Sequence, residues 1–251
     1  MKQLILLSLL VLVFIISACK TKKQNKTSNE AATTVVKEDL VPTNHLISMS
    51  KGACYGTCPV YTMNVHENGV VKFEGKQFCD KTGPHIAQLS SEQLAALKQE
   101  VGNINFETFS DKIESMIADL PGTELTFYRA DASSKSIWWN MNGPEQLLNL
   151  SAVLETYRGA LDWKVNNDAP LPEGAIPNQF LIYLKEGVKG SDFAKQFSDY
   201  NFIPKRELLP EDNYWLFEFD LDKITSYEMY NLIHKTKKIQ NVRFNTKVAE
   251  R

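Results

Sequence analysis

The stretch Val60-Tyr61-Thr62-Met63-Asn64-Val65-His66-Glu67-Asn68-Gly69-Val70-Val71-Lys72-Phe73 decides how the first half of this chain folds. Apolar and polar residues alternate on both sides of Glu67-Asn68-Gly69, the pattern of two half-buried strands joined by a tight turn. Two registers compete. A two-residue Asn68-Gly69 turn pairs Val65 with Lys72 and Asn64 with Phe73, which mixes apolar with polar. A three-residue loop with Gly69 left-handed pairs Val65 with Val71 and Met63 with Phe73. One buried face requires the second register, since a slip of one residue turns every side chain over.

Working outward, Leu46-Ile47-Ser48-Met49 reads as a short strand before the hairpin, whose second arm runs to Phe78. Ser90 with Gln93 forms a capping box, and Leu89 and Leu94 stand in staple positions. Leu94, Leu97 and Val101 line one face of that helix, and Gly102 is its expected stop. Glu124 to Arg129 and Ser136 to Met141 make a second strand pair across the polar Asp131 to Lys135. Pro144 suits a first helical residue, and Leu147, Leu150, Leu154, Tyr157 and Leu161 form a core-facing stripe. Residues 45–165 are thus a first α+β domain of antiparallel hairpins and two helices. Residues 166–178, with Asn166, Asn167, Pro170, Pro172, Gly174 and Pro177, read as a linker.

Residues 179–251 repeat the class with a different order. Phe180 to Leu184 is an apolar strand. Ser191 is the expected cap of a helix carrying Phe193, Phe197 and Tyr200. Strands follow at Ile203 to Leu208 and Trp215 to Leu221. Thr225 and Glu228 form another capping box, with Met229, Leu232 and Ile233 inward, and Val242 to Thr246 closes. The order βαββαβ is that of a ferredoxin-like split unit, with its first and third strands central. The expected architecture is therefore a two-domain α+β protein.

The N-terminus sets the compartment. Lys2 precedes an uncharged stretch, Leu4 to Ile16, of roughly 13 residues, against about 20 for a membrane-spanning helix. Ile16-Ser17-Ala18-Cys19 follows. A charged start, a short apolar core and small residues make residues 1–18 a secretory signal. The four-residue end resembles the lipobox of bacterial lipoproteins, which implies cleavage before Cys19 and acylation of its thiol. Residues 19–44 then form a polar tether from the acylated Cys19, with Lys20, Lys22, Lys23 and Lys26 near its start. Those charges read either as a solvated linker or as an attraction to anionic head groups. Lys20 follows Cys19 where an acidic residue signals inner-membrane retention in enteric bacteria. The lipid bilayer is thus the first expected partner, and the expected location is the inner face of the outer membrane.

Composition excludes some classes. The formal net charge is −2. Loss of residues 1–18 removes one Lys, so 27 basic and 30 acidic side chains remain, net −3. No basic excess points to nucleic acid. Four cysteines occur, and with Cys19 acylated, Cys54, Cys58 and Cys79 are left, an odd number in an exported chain.

Cys54-Tyr55-Gly56-Thr57-Cys58-Pro59-Val60-Tyr61 is the sharpest local motif. Here the first domain resembles a family of uncharacterised domains of bacterial lipoproteins marked by C-x-G-x-C-P-x-Y before a hairpin. The likeness continues through the Gly69 turn, the Ser90 helix, Asp119-Leu120-Pro121 and the Leu-rich final helix. It implies fold and export, not an activity. Physically, C-x₃-C closes a small loop, and a Cys54–Cys58 bond staples it with modest effect. The rival Cys58–Cys79 bond needs the two-residue turn already set aside, so Cys79 is expected to face Thr57 as a buried thiol. A redox pair is the lesser reading, because dithiol exchange favours C-x-x-C at a helix start.

No catalytic or metal pattern appears among the remaining candidates. His45, His66, His85 and His234 lack H-x₃-H or H-E-x-x-H spacing, and His66 is expected to be exposed beside its loop. Asp111, Glu114 and Asp119 lack the alternating oxygens of a calcium loop and read as a solvated helix end. Trp138 and Trp139 point to opposite faces of a strand, one to the core and one to a partner or to cover by another element. No cofactor and no metal are expected, and the chain is read as a non-enzyme. Its expected work is binding or scaffolding in the cell envelope, with an unidentified envelope protein as partner. Residues 179–251 also resemble, loosely, the propeptide module of subtilisin-type proteases, on Phe180 to Val188, the element order and Ile239-Gln240-Asn241-Val242. That likeness implies an inhibitor-like alternative acting through the tail Lys247 to Arg251. Thiol oxidoreductase is the other alternative.

Overall fold

Cross-strand pairing follows the apolar face of the hairpin: Val65 pairs with Val71 and Met63 with Phe73. Gly69 adopts φ +80°, where a side chain is strained, and its N–H donates to the His66 carbonyl at 2.9 Å. The computed structural model describes residues 40, 42–116 and 120–247. The leader 1–18, Cys19, most of the tether, Asp119 and residues 248–251 lie outside the described residues.

The first sheet has eight strands: β1 (His45–Lys51), β2 (Val60–His66), β3 (Val70–Gln77), β4 (Gly83–Gln88), β5 (Lys112–Ile113), β6 (Thr123–Tyr128), β7 (Ser134–Trp139) and β8 (Lys164–Val165). Their order is β5-β7-β6-β1-β2-β3-β4-β8. Every pair is antiparallel except β5 with β7. The two expected hairpins are therefore one sheet, with β1 pairing β2 on one side and β6 on the other. Helices α1 (Ser91–Gly102) and α2 (Glu145–Ala160) join it. Alternate residues Met63, Val65, Val71 and Phe73 form a core with Leu97 of α1 and Leu147, Leu150 and Leu154 of α2. Each such buried side chain contributes about 1.5–3 kcal/mol.

Helix starts follow their capping residues. Ser90 accepts from the Gln93 N–H, and the Gln93 side chain accepts from the Ser90 N–H at 2.8 Å. The stop differs from expectation: α1 includes Gly102 and caps at Asn103, so no left-handed glycine is used. Pro144 is the N-cap of α2, one position ahead of the expected one.

The second sheet contains β9 (Ala175–Leu184), β10 (Ile203–Leu209), β11 (Tyr214–Glu218) and β12 (Ile239–Thr246), with helices α3 (Gly190–Lys195) and α4 (Ser226–Lys235). Its order is β10-β11-β9-β12, all antiparallel, with β9 and β11 central. Phe180, Ile182, Phe193, Phe217, Met229 and Ile233 build a second core. Thr225 and Glu228 form the expected capping box. Ser191 does not cap: it lies inside α3, whose N-cap is Lys189 with no side-chain bond.

The chain between the sheets breaks regular structure, as its Pro, Gly and Asn content requires, yet it is packed. β9 begins at Ala175, inside the expected linker. Ala169 and Leu171 pack against the second core. The Asn166 N–H donates to the Pro84 carbonyl at 3.0 Å, Thr225 Oγ1 donates to Asn167 Oδ1 at 2.6 Å, and the Tyr227 hydroxyl donates to the Pro170 carbonyl at 2.7 Å. Residues 39–251 form one compact unit that holds both cores. Among the described residues the fold is thus mixed and strand-rich, with two sheets and four α-helices.

Candidate functional site

The C-x-G-x-C-P-x-Y motif lies at one end of the first sheet, between the last residue of β1 and the first turn of β2. Lys51 ends β1, and the Gly52 N–H ties the departing chain to the Gly122 carbonyl at 2.8 Å. Cys54 and Cys58 come to disulfide distance, with Cα atoms 5.7 Å apart. Tyr55, on the loop they clamp, is 94% exposed.

Tyr61, the last residue of the motif, turns inward and is buried. Its hydroxyl donates to Glu155 of α2. Arg158, one turn later, donates from Nε to Glu155 Oε2 at 2.8 Å and from Nη1 to Asp80 Oδ1 at 3.1 Å. Its guanidinium lies 5.3 Å from the centre of the Tyr61 ring. Lys51 Nζ is 3.7 Å from Glu155 and donates to Thr123 Oγ1 at 3.0 Å. The network therefore fastens the end of β1, the start of β2 and the turn after β3 to α2.

Protonation states follow from this packing. Burial, then the Glu155 carboxylate that accepts its proton, pushes the Tyr61 phenol far up. Burial also raises the Glu155 carboxyl, but hydrogen bonds from Tyr61 and Arg158 and the charges of Arg158 and Lys51 outweigh it and hold it low. Burial works against the Arg158 charge too, and Glu155 more than restores it. Burial lowers Lys51, with Glu155 opposing. These shifts hold Glu155 and Arg158 charged and Tyr61 an uncharged phenol, each moved away from pH 7, whereas an acid–base pair is poised near it.

Cys79 sits beside this corner, but not opposite Thr57. A bulge at Lys76 changes the register from Tyr61↔Gly75 to Val60↔Gln77. An extra residue on one strand slips everything beyond it by one. The ladder stops at Gln77, and Phe78 turns the chain at φ +52°. The Cys79 thiol donates to the Val60 and Gln77 carbonyls, each at 3.2 Å. Burial raises this thiol above its usual range, which lowers its thiolate fraction.

Residues 45–158 match the family model of a domain of unknown function, DUF6438. No curated protein matches the chain. The matched span begins with β1 and ends at Arg158, so it contains the entire motif network, from Lys51 and Tyr61 to Asp80, Glu155 and Arg158.

The other candidates scatter. His66 is buried, contrary to expectation. Its ring stacks on His45, centroids 4.5 Å apart, His45 stacks on Tyr128 at 4.8 Å, and Nδ1 lies 2.7 Å from the Thr43 carbonyl. The segment before β1 covers it, a contact that no local pattern announces. His85 is buried on β4 with Nδ1 3.2 Å from the Gly83 carbonyl, and on α4 burial lowers His234 to about 4. Trp139 is buried, whereas Trp138 is half-buried with the Lys112 ammonium 5.4 Å from its ring centre. Asp111 pairs with Lys135 at 3.5 Å and Glu114 with Lys112 at 2.7 Å. Among the described residues no three His, Cys, Asp or Glu side chains are grouped to hold a metal. Sequence reasoning missed Lys51, Asp80, Glu155 and Arg158. Only the i, i+3 pair Glu155 and Arg158 left a local signal.

Proposed function

We propose that this chain is a lipid-anchored protein of the bacterial cell envelope whose folded part binds and scaffolds rather than catalyses. The observation that carries the binding half is the motif corner. Its ionisable groups are consumed by one another, while the loop that they brace holds Tyr55 out in solvent. Exposed aromatic side chains on rigid supports are the usual anchors of interfaces. The anchoring half rests on Leu4 to Ile16 followed by Ile16-Ser17-Ala18-Cys19. In this reading Cys19 is acylated, Cys54 and Cys58 are bonded in an oxidising compartment, and the protein resides at the inner face of the outer membrane. Residues 179–251 are read as a ferredoxin-like unit, which the order β10-β11-β9-β12 supports.

A Cys19→Ser variant tests the anchor. It should leave the membrane fraction for the soluble one, and recovery in membranes at the wild-type level overturns the proposal. An inhibitor-like role of the second sheet is the runner-up. It is favoured by the stacked Tyr183 and Tyr214 rings, 3.9 Å apart, on the face turned away from the second core. Slowing of a subtilisin-like protease by the purified chain would select that reading. The thiol oxidoreductase reading concerns Cys54 and Cys58, and a bond between them that resists glutathione-level thiols in the folded protein would exclude it.

A further inference from the structure

Two exposed aromatic side chains lie on loops at the motif end of the first sheet. Tyr55 is 94% exposed on the loop clamped by Cys54 and Cys58, and Phe78 is 58% exposed on the turn after β3. The loop of Tyr55 leads into β2 and the turn of Phe78 leaves β3, and Val60 pairs with Gln77 where those two strands reach that end.

Phe78 holds φ +52°, the left-handed region that a bulky residue avoids. There a strained backbone puts an apolar ring into water, which points to a partner for that ring.

The charge around the two rings is positive. The segments 51–59 and 76–82 carry Lys51, Lys76 and Lys81 against Asp80 alone, and Glu155 and Arg158 beneath them cancel. Lys51 is paired with Glu155 and Lys81 with Asp80 at 2.7 Å, yet the sum stays positive. Exposed rings in a net positive setting suit a soft anionic surface, which takes apolar tips among its head groups without a matching pocket. Reach permits it. The 21 residues from Cys19 to Asp39 span at most about 70 Å when extended.

We propose that Tyr55 and Phe78 dip into an anionic phospholipid surface, with Lys76 on its head groups, as a second membrane contact besides the acyl anchor. The proposal rests on the envelope reading for its setting, but its test does not use the anchor. A chain of residues 20–251, lacking Cys19 and containing the whole compact unit 39–251, is floated with phosphatidylcholine vesicles with and without 30 mol% (roughly) phosphatidylglycerol. Wild type should float with the anionic vesicles and at least tenfold less with the neutral ones. Tyr55→Ser with Phe78→Gly should reduce binding to anionic vesicles about tenfold or more, the scale set by two partly inserted rings. Phe78→Gly suits the left-handed turn, so this variant keeps its thermal midpoint and isolates binding from folding.

Equal flotation of wild type and variant overturns the proposal. So does wild-type binding to neither vesicle, or a photo-reactive residue at position 55 of the full chain that cross-links in cells to a protein and not to lipid. Loss of the acyl group on Cys19 with vesicle binding intact would separate failure of the anchor from failure of this contact.

Discussion

Replacing Tyr61 with Phe removes one oxygen from the motif and nothing else. The ring stays packed against Phe73, 5.2 Å between centroids, so no cavity opens. What is lost is the hydroxyl donated to Glu155. A hydrogen bond to a charged group is worth about 1.5–3 kcal/mol. Glu155 keeps Arg158 at 2.8 Å and Lys51 at 3.7 Å, and its side chain is about one-third exposed, so part of the loss is recovered. The expected cost is about 1–2 kcal/mol, a fall in thermal midpoint of about 2–8 °C for a unit of this size. The pH dependence carries the sharper signature. Folded Glu155 titrates below its ordinary value of 4.5, so its contribution is present above that value and lost as pH falls through the folded one. Folded Tyr61 titrates above 10, so its contribution is present below pH 10 and lost above it. Tyr61→Phe should flatten both the acid limb below about pH 4.5 and the alkaline limb above about pH 10. Thermal melts followed by circular dichroism from pH 3 to 11 measure this. A midpoint within 1 °C of wild type and unchanged limbs would refute the lock.

Three further outcomes are expected. Gly75→Ala drives a methyl group into the Lys81 carbonyl, a backbone atom with little room to retreat, and should cost about 1–3 kcal/mol in urea denaturation. Removing both Cys54 and Cys58 opens a five-residue loop and should cost about 2 kcal/mol in the chain-entropy description; thiol titration of the folded wild type should count no reactive pair at these positions. Burial holds His234 at about 4 against 6.5 unfolded, so its contribution is present above pH 6.5 and lost as pH falls through 4. His234→Phe should therefore reduce the slope of stability against pH between those values, and an unaltered slope counts against that burial.

What was legible in the sequence was local. The Gly69 turn and the alternation around it gave the register, because only one pairing buries a continuous face. Ser90 with Gln93 and Thr225 with Glu228 marked two helix starts, since each capping box lies within four residues. The helix at Gly190 was misplaced because Ser191 looks like a cap yet makes no side-chain bond. β5 and β8 are two residues each, too short to show a period, and β4 opens with Gly83 and Pro84, which hide a strand. That β1 joins both hairpins, and that Tyr61 meets Glu155 94 residues away, depends on contacts with no sequence period. The same holds for His66, which lies beside a loop but is roofed by His45 and the Thr43 carbonyl. The bulge at Lys76 displaced Cys79 because nothing in Gly75-Lys76-Gln77 distinguishes a bulge from a continuing strand.

The envelope assignment stands or falls with the first residue of the native protein. Mass spectrometry of the N-terminal peptide from membranes of the native host reads it directly. The expected result is a peptide that begins at Cys19 and carries fatty-acyl mass. An unmodified peptide beginning at Met1 would contradict the account.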